Sequence, residues 1–111
     1  MNRLAMSPGA AGLLRALVAR GGVARDRILL TEAESVDWQS LTFTGERHVI
    51  RLRIPAPDSR LVVERMCNGL DDAQFSIPGI IVADIAVSEP PSTALDGSTS
   101  ITIEALTVAA D

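Results

Sequence analysis

Lysine and tyrosine are absent from this 111-residue chain, and cysteine occurs once, as Cys67. Each absence closes a chemistry. Without lysine there is no Schiff-base amine and no phosphate-loop ammonium, and without tyrosine there is no phenolic acid. A single thiol excludes an intramolecular disulfide and a four-thiolate metal site, and it points to a reducing, cytoplasmic setting. No cofactor and no metal is expected from this inventory. Aromatic residues amount to 3 % and the net charge is −4. Little is left for phosphate attraction or base stacking, so nucleic acid is not an expected partner. Nor is a membrane, since no stretch approaches the ~20 apolar residues of a bilayer span. Arg15 and Arg20 also interrupt what would be the apolar part of a secretory signal.

What is present describes an ordinary globular chain. Hydrophobic residues are 47 % and charged residues 22 %, enough for one domain over residues 1–111 with its own core, preceded by a flexible N-terminus at residues 1–6. All ten basic residues are arginine, which alongside much Ala, Gly and Val fits a GC-rich bacterial genome. They all precede Met66, where they face seven acids, whereas the remainder carries seven acids and no base. The second part is rich in strand-forming apolar residues and is no solvated tail. The two parts are therefore expected to interleave in one sheet and neutralise each other across strands.

Local patterns supply the elements. Ser7 is a good N-cap and Pro8 suits the first helical position. Ala10, Leu13, Leu14, Leu17 and Val18 then share one helical arc, and Gly21-Gly22 ends it. Short strands follow at Arg27–Thr31 and Val36–Thr44, with a phase change near Gln39 and Ser40 that suggests a bulge, and a turn at Thr44–Arg47. His48–Ile54 alternates cleanly, with His48, Ile50, Leu52 and Ile54 on one face and Val49, Arg51 and Arg53 on the other. A second helix from Pro57 or Asp58 to about Asn68 carries the stripe Val63, Met66, Cys67 and Leu70. Strands are expected again at Ala73–Ile77, at Ile80–Val87 and at Ser100–Val108. The second is apolar on both faces except for Asp84, as in an interior strand or one covered by a partner chain. Residues 89–99, with Pro90-Pro91 and Asp96-Gly97, form a long loop. The order predicts an α+β fold: a two-layer α/β sandwich with two helices on one face of a mainly antiparallel sheet, in a permuted ferredoxin-like arrangement.

Few residues offer chemistry. His48 is the sole histidine, the one side chain that ordinarily titrates near neutral pH, yet its phase puts it on the core face. Cys67 falls in a helix core stripe, and pairing with His48 would need that helix to lie over the start of the His48 strand. Asp71-Asp72 read as a solvated turn. Arg47, Arg51 and Arg53 form a row suited to carboxylates or phosphates, or to cross-strand pairing with Asp84 or Glu104. Three functions follow. The first is an interaction or regulatory module that homodimerises through its sheet. The second is a binding protein that takes a small anionic ligand on Arg47, Arg51 and Arg53 with His48. The third is an enzyme with His48 as general base and Asp71, Asp72 or Asp84 in support.

Overall fold

The structure, a computed structural model, describes residues 6–110. The flexible N-terminus expected over residues 1–6 lies, but for Met6, outside them. The chain opens with helix α1 (Pro8–Gly21), where the Ser7 hydroxyl accepts the Ala10 amide at 3.1 Å and Gly22 closes the last turn. A short 3-10 turn (Arg25–Arg27) leads into strand β1 (Leu29–Gln39), which pairs with β2 (Thr44–Ile54). Helix α2 (Ser59–Cys67) and a second 3-10 turn (Leu70–Asp72) precede β3 (Ile80–Thr93) and β4 (Thr99–Ala109). The sheet order is β1-β2-β4-β3, and every neighbouring pair is antiparallel. Strands β2 and β3 therefore run parallel with β4 inserted between them, so α2 bridges a split β-α-β unit.

This is the α+β, two-layer arrangement that the periodicities predict. Leu13 and Leu17 of α1, with Val62, Val63 and Met66 of α2, meet Ile50, Leu52 and Ile54 of β2 and Ile101 and Ile103 of β4. These side chains are at most 4 % exposed, and burying each stabilises the fold by roughly 1.5–3 kcal/mol. Only one sheet face receives this cover.

Several element boundaries differ from expectation, each for a physical reason. The two short strands expected before residue 44 are one strand, β1. Its irregularity lies between Leu30 and Glu32, where the Thr31 hydroxyl bonds the Arg51 carbonyl at 3.1 Å. The hairpin turn falls at Ser40–Phe43, where the Ser40 amide bonds the Phe43 carbonyl and the Ser40 hydroxyl accepts the Phe43 amide. Thr44–Arg47 is thus ladder and not turn. Gly45 is needed there, because a Cβ would stand 1.9 Å from the Thr107 carbonyl oxygen. Residues 73–77 form no strand beyond an isolated Ile77–Ile80 bridge; Phe75 and Ile77 instead plug into the core. Strand β3 lies at an edge and is not interior. Its edge position lets it continue through Pro90-Pro91 to Thr93, since a proline with no N–H is tolerated on the outer rim of a sheet. The long loop expected at 89–99 shrinks to the few residues between β3 and β4.

Candidate functional site

The face of the sheet turned away from the helices has no cover among the described residues, and register fixes what lies on it. One row runs Glu32, Arg51, Thr102, Glu89 across the four strands. The next is Glu34, Val49, Glu104, Ala86, followed by Val36, Arg47, Leu106, Asp84. The last row, Trp38, Gly45, Val108, Ile81, is apolar. The open face therefore has a charged body and an apolar end. Val36, Phe43 and Ile81 at that end are 57 %, 52 % and 53 % exposed, and Leu41 in the adjacent turn is fully exposed. The Trp38 Nε1 is buried and finds no acceptor among the described residues, an uncommon cost for a donor shut off from water.

The arginine row is real, and most of it is engaged. Arg51 reaches Glu32 at 3.0 Å, Glu89 at 3.8 Å and the Thr102 hydroxyl at 3.0 Å. Arg53 holds Asp96 at 2.6 Å and donates to Ser98. The Asp96 carboxyl sits below its ordinary pKa, first through hydrogen bonds from the Ser98 side chain and backbone and then through Arg53. Cross-strand neutralisation thus takes place, but through Glu32, Glu89 and Asp96, whereas Asp84 and Glu104 make no ion pair among the described residues. Arg47 likewise makes none there. It lines a shallow cavity of about 430 Å³ with Glu34, Asp84 and Glu104, and three carboxylates around one guanidinium repel an anion more than they invite it.

His48 is on the opposite face and is 1 % exposed. Its Nδ1 is 2.7 Å from the Ser35 hydroxyl and its Nε2 is 2.8 Å from the Thr107 hydroxyl. Burial holds the imidazole below its ordinary pKa, and Glu46, 3.9 Å away, acts in the opposite sense. A neutral ring with one donor and one acceptor suits two hydroxyls, which can each play either part. Both nitrogens are occupied, and no surface is left for a substrate. The sheet itself separates His48 from Arg47, Arg51 and Arg53, so these four do not converge. It also separates His48 from Asp84, while Asp71 and Asp72 sit exposed in the turn after α2.

Cys67 lies near the other end of α1 from His48. Arg20, in the last turn of α1, bonds the Met66 and Asn68 carbonyls that flank it. His48 lies below Gly9 in the first turn, so about 17 Å of helix separates the pair. Burial raises the Cys67 thiol pKa and Arg20 partly offsets this. Among the described residues no three of His, Cys, Asp and Glu are grouped to hold a metal ion, and no helix is long and apolar enough to cross a membrane.

An open cavity of about 690 Å³ wraps the apolar end of the sheet beside the start of α1. Asp37 and Glu46, directly opposite each other across β1 and β2, line it with Trp38, Ile80 and Val108. Sequence reasoning missed the patch formed by Trp38, Phe43 and Ile81, and the hydroxyls of Ser35 and Thr107. The shared phase of Val36 and Trp38 was the available signal for the first. Nothing local announces the second, since Ser35, His48 and Thr107 come together only through strand pairing. No protein-family model matches the chain, and no curated protein matches it.

Proposed function

We propose that this protein is an interaction module that homodimerises through the open face of its sheet. The carrying observation is the apolar end of that face, where Val36, Phe43 and Ile81 are each more than half exposed. Isolated exposed apolar residues are ordinary, but a contiguous group beside a buried, unpartnered indole N–H marks an association surface.

Area favours a second copy as the occupant. Eleven-residue strands at ~3.3 Å per residue, four abreast at ~4.8 Å, present about 700 Å². A standard interface takes about 800 Å² from each partner. Arg47 on one copy and Asp84 and Glu104 on the other supply opposite charges on the same surface, as a twofold interface requires. The split β-α-β unit also fits the permuted ferredoxin-like reading of the fold. A single thiol held mostly away from solvent fits a reducing, bacterial cytoplasm.

Sedimentation velocity over the micromolar range is the test. The wild type should sediment as a dimer, and Ile81→Arg as a monomer with an unchanged circular dichroism spectrum. A wild type that stays monomeric throughout would remove the proposal.

A further inference from the structure

A sheet of four strands has two rims, and these two are finished differently. On β3 the rim is interrupted by three register irregularities and by Pro90-Pro91, devices that blunt an edge against further pairing. The β1 rim has one irregularity, between Leu30 and Glu32, and from Glu32 to Gln39 its pairing with β2 is unbroken. That stretch presents about 26 Å of regular strand whose outer side has no neighbour among the described residues.

Two flanking surfaces say what would fit beside it. On the helix side, just before that stretch, an open groove of about 770 Å³ lies between α1 and the start of β1, lined by Leu14, Val18, Ile28 and Leu30 with Arg25 and Asp26. On the other side β1 shows Glu32 and Glu34, and Glu34 has no ion-pair partner among the described residues. Strand β2 already satisfies this combination on the inner side of β1. It alternates apolar residues toward the helices with arginines on the open face, where Arg51 stands opposite Glu32 while Val49 stands opposite Glu34.

We infer that the outer rim of β1 is a docking edge for an extended peptide in which apolar and arginine or lysine residues alternate. The peptide adds a fifth strand, with main-chain hydrogen bonds giving affinity and alternate side chains giving specificity. Where it runs past Leu30 its apolar residues reach the groove beside α1, and along the regular stretch its basic residues stand next to Glu32 and Glu34. A second copy of β1 is the weaker occupant, because pairing β1 with itself brings Glu32, Glu34 and Asp37 from both chains onto one seam. The main-chain pairing is made at the rim of β1, but Glu32 and Glu34 also belong to the open face, so Ile81→Arg on the opposite rim serves to separate this inference from the dimer.

The probe is a fluorescein-labelled peptide copying residues 47–54, read by anisotropy against the full chain. Binding is expected at low salt, weakening as salt rises, and Glu34→Lys should reduce affinity roughly tenfold. A peptide with its arginines replaced by glutamate should not bind. N-methylation of alternate peptide amides should abolish binding in one phase and spare it in the other, as strand pairing demands. Ile81→Arg, designed against the face, should bind the probe as the wild type does. Absent binding, equal loss in both N-methylated phases, or indifference to Glu34→Lys would each overturn the inference. Tighter self-association of Glu34→Lys that persists when Ile81→Arg is added would overturn it too, by assigning the edge to a second copy.

Discussion

The two faces of this sheet are made by the same strands and carry opposite kinds of information. On the covered face, β2 places His48, Ile50, Leu52 and Ile54 against two helices, and all four are at most 1 % exposed. On the open face the same strand places Arg47, Arg51 and Arg53, each ion-paired or ringed by carboxylates. The covered face holds the fold, and even its histidine is tied down by two hydroxyls. The open face is held by partly exposed ion pairs, and no element among the described residues covers it. Chemistry follows burial here: the most reactive-looking residue, His48, is spent on structure, while plain valine, phenylalanine and isoleucine are the side chains left exposed.

Core truncation should separate the faces most sharply. Leu52→Ala is expected to lose about 2–5 kcal/mol in denaturant unfolding, whereas Val49→Ala, one step away facing outward, should stay within about 0.5–1 kcal/mol. Comparable losses at both positions would mean that the open face is already packed within the monomer.

A smaller effect belongs to the polar part of the core. Thr107→Val removes the partner of the His48 Nε2 and should cost about 1–3 kcal/mol, because the ring nitrogen is left buried and unsatisfied. The pH dependence has a definite sign. The folded-state pKa of His48 lies below its unfolded value, so the folded protein binds fewer protons over the interval between them. Stability should therefore fall as pH drops below the ordinary histidine range, about 6.5. His48→Gln should flatten that part of the profile, as monitored by thermal melting across a pH series.

The smallest change is expected at the ion pairs. The Arg51 and Glu32 side chains are 44 % and 46 % exposed, and Arg51→Ala should alter stability by no more than about 1 kcal/mol. A larger loss would make the arginine row a structural clasp and erase much of the contrast between the faces.

Alternation along His48–Ile54 was enough to read which β2 side chains are buried, and the Ser7-Pro8 start and leucine arc were enough for α1. Such signals are local. The order of strands is not, and that is where reading from sequence failed. Pro90-Pro91 reads as loop punctuation, and only the edge position of β3 makes it compatible with a strand. The apolar run at Ile80–Val87 reads as interior, yet Ile81 is exposed on a rim strand. The pairing of Arg51 with Glu32 and Glu89 depends on β1 and β3 flanking the two central strands, which no spacing along the chain reveals. The apolar end of the open face was half legible in Val36 and Trp38, but Ile81 and Val108 join them only through the sheet.

Trp38 is the sole tryptophan and stands at that apolar end, so its fluorescence reads association at the proposed contact. The decisive measurement is iodide quenching of Trp38 emission through a dilution series spanning the micromolar range, paired with the Ile81→Arg variant. A buried dimer contact predicts weak quenching at high concentration that strengthens on dilution to the constant level shown by Ile81→Arg. Quenching that stays the same at every concentration and in both proteins would contradict an interface on the open face.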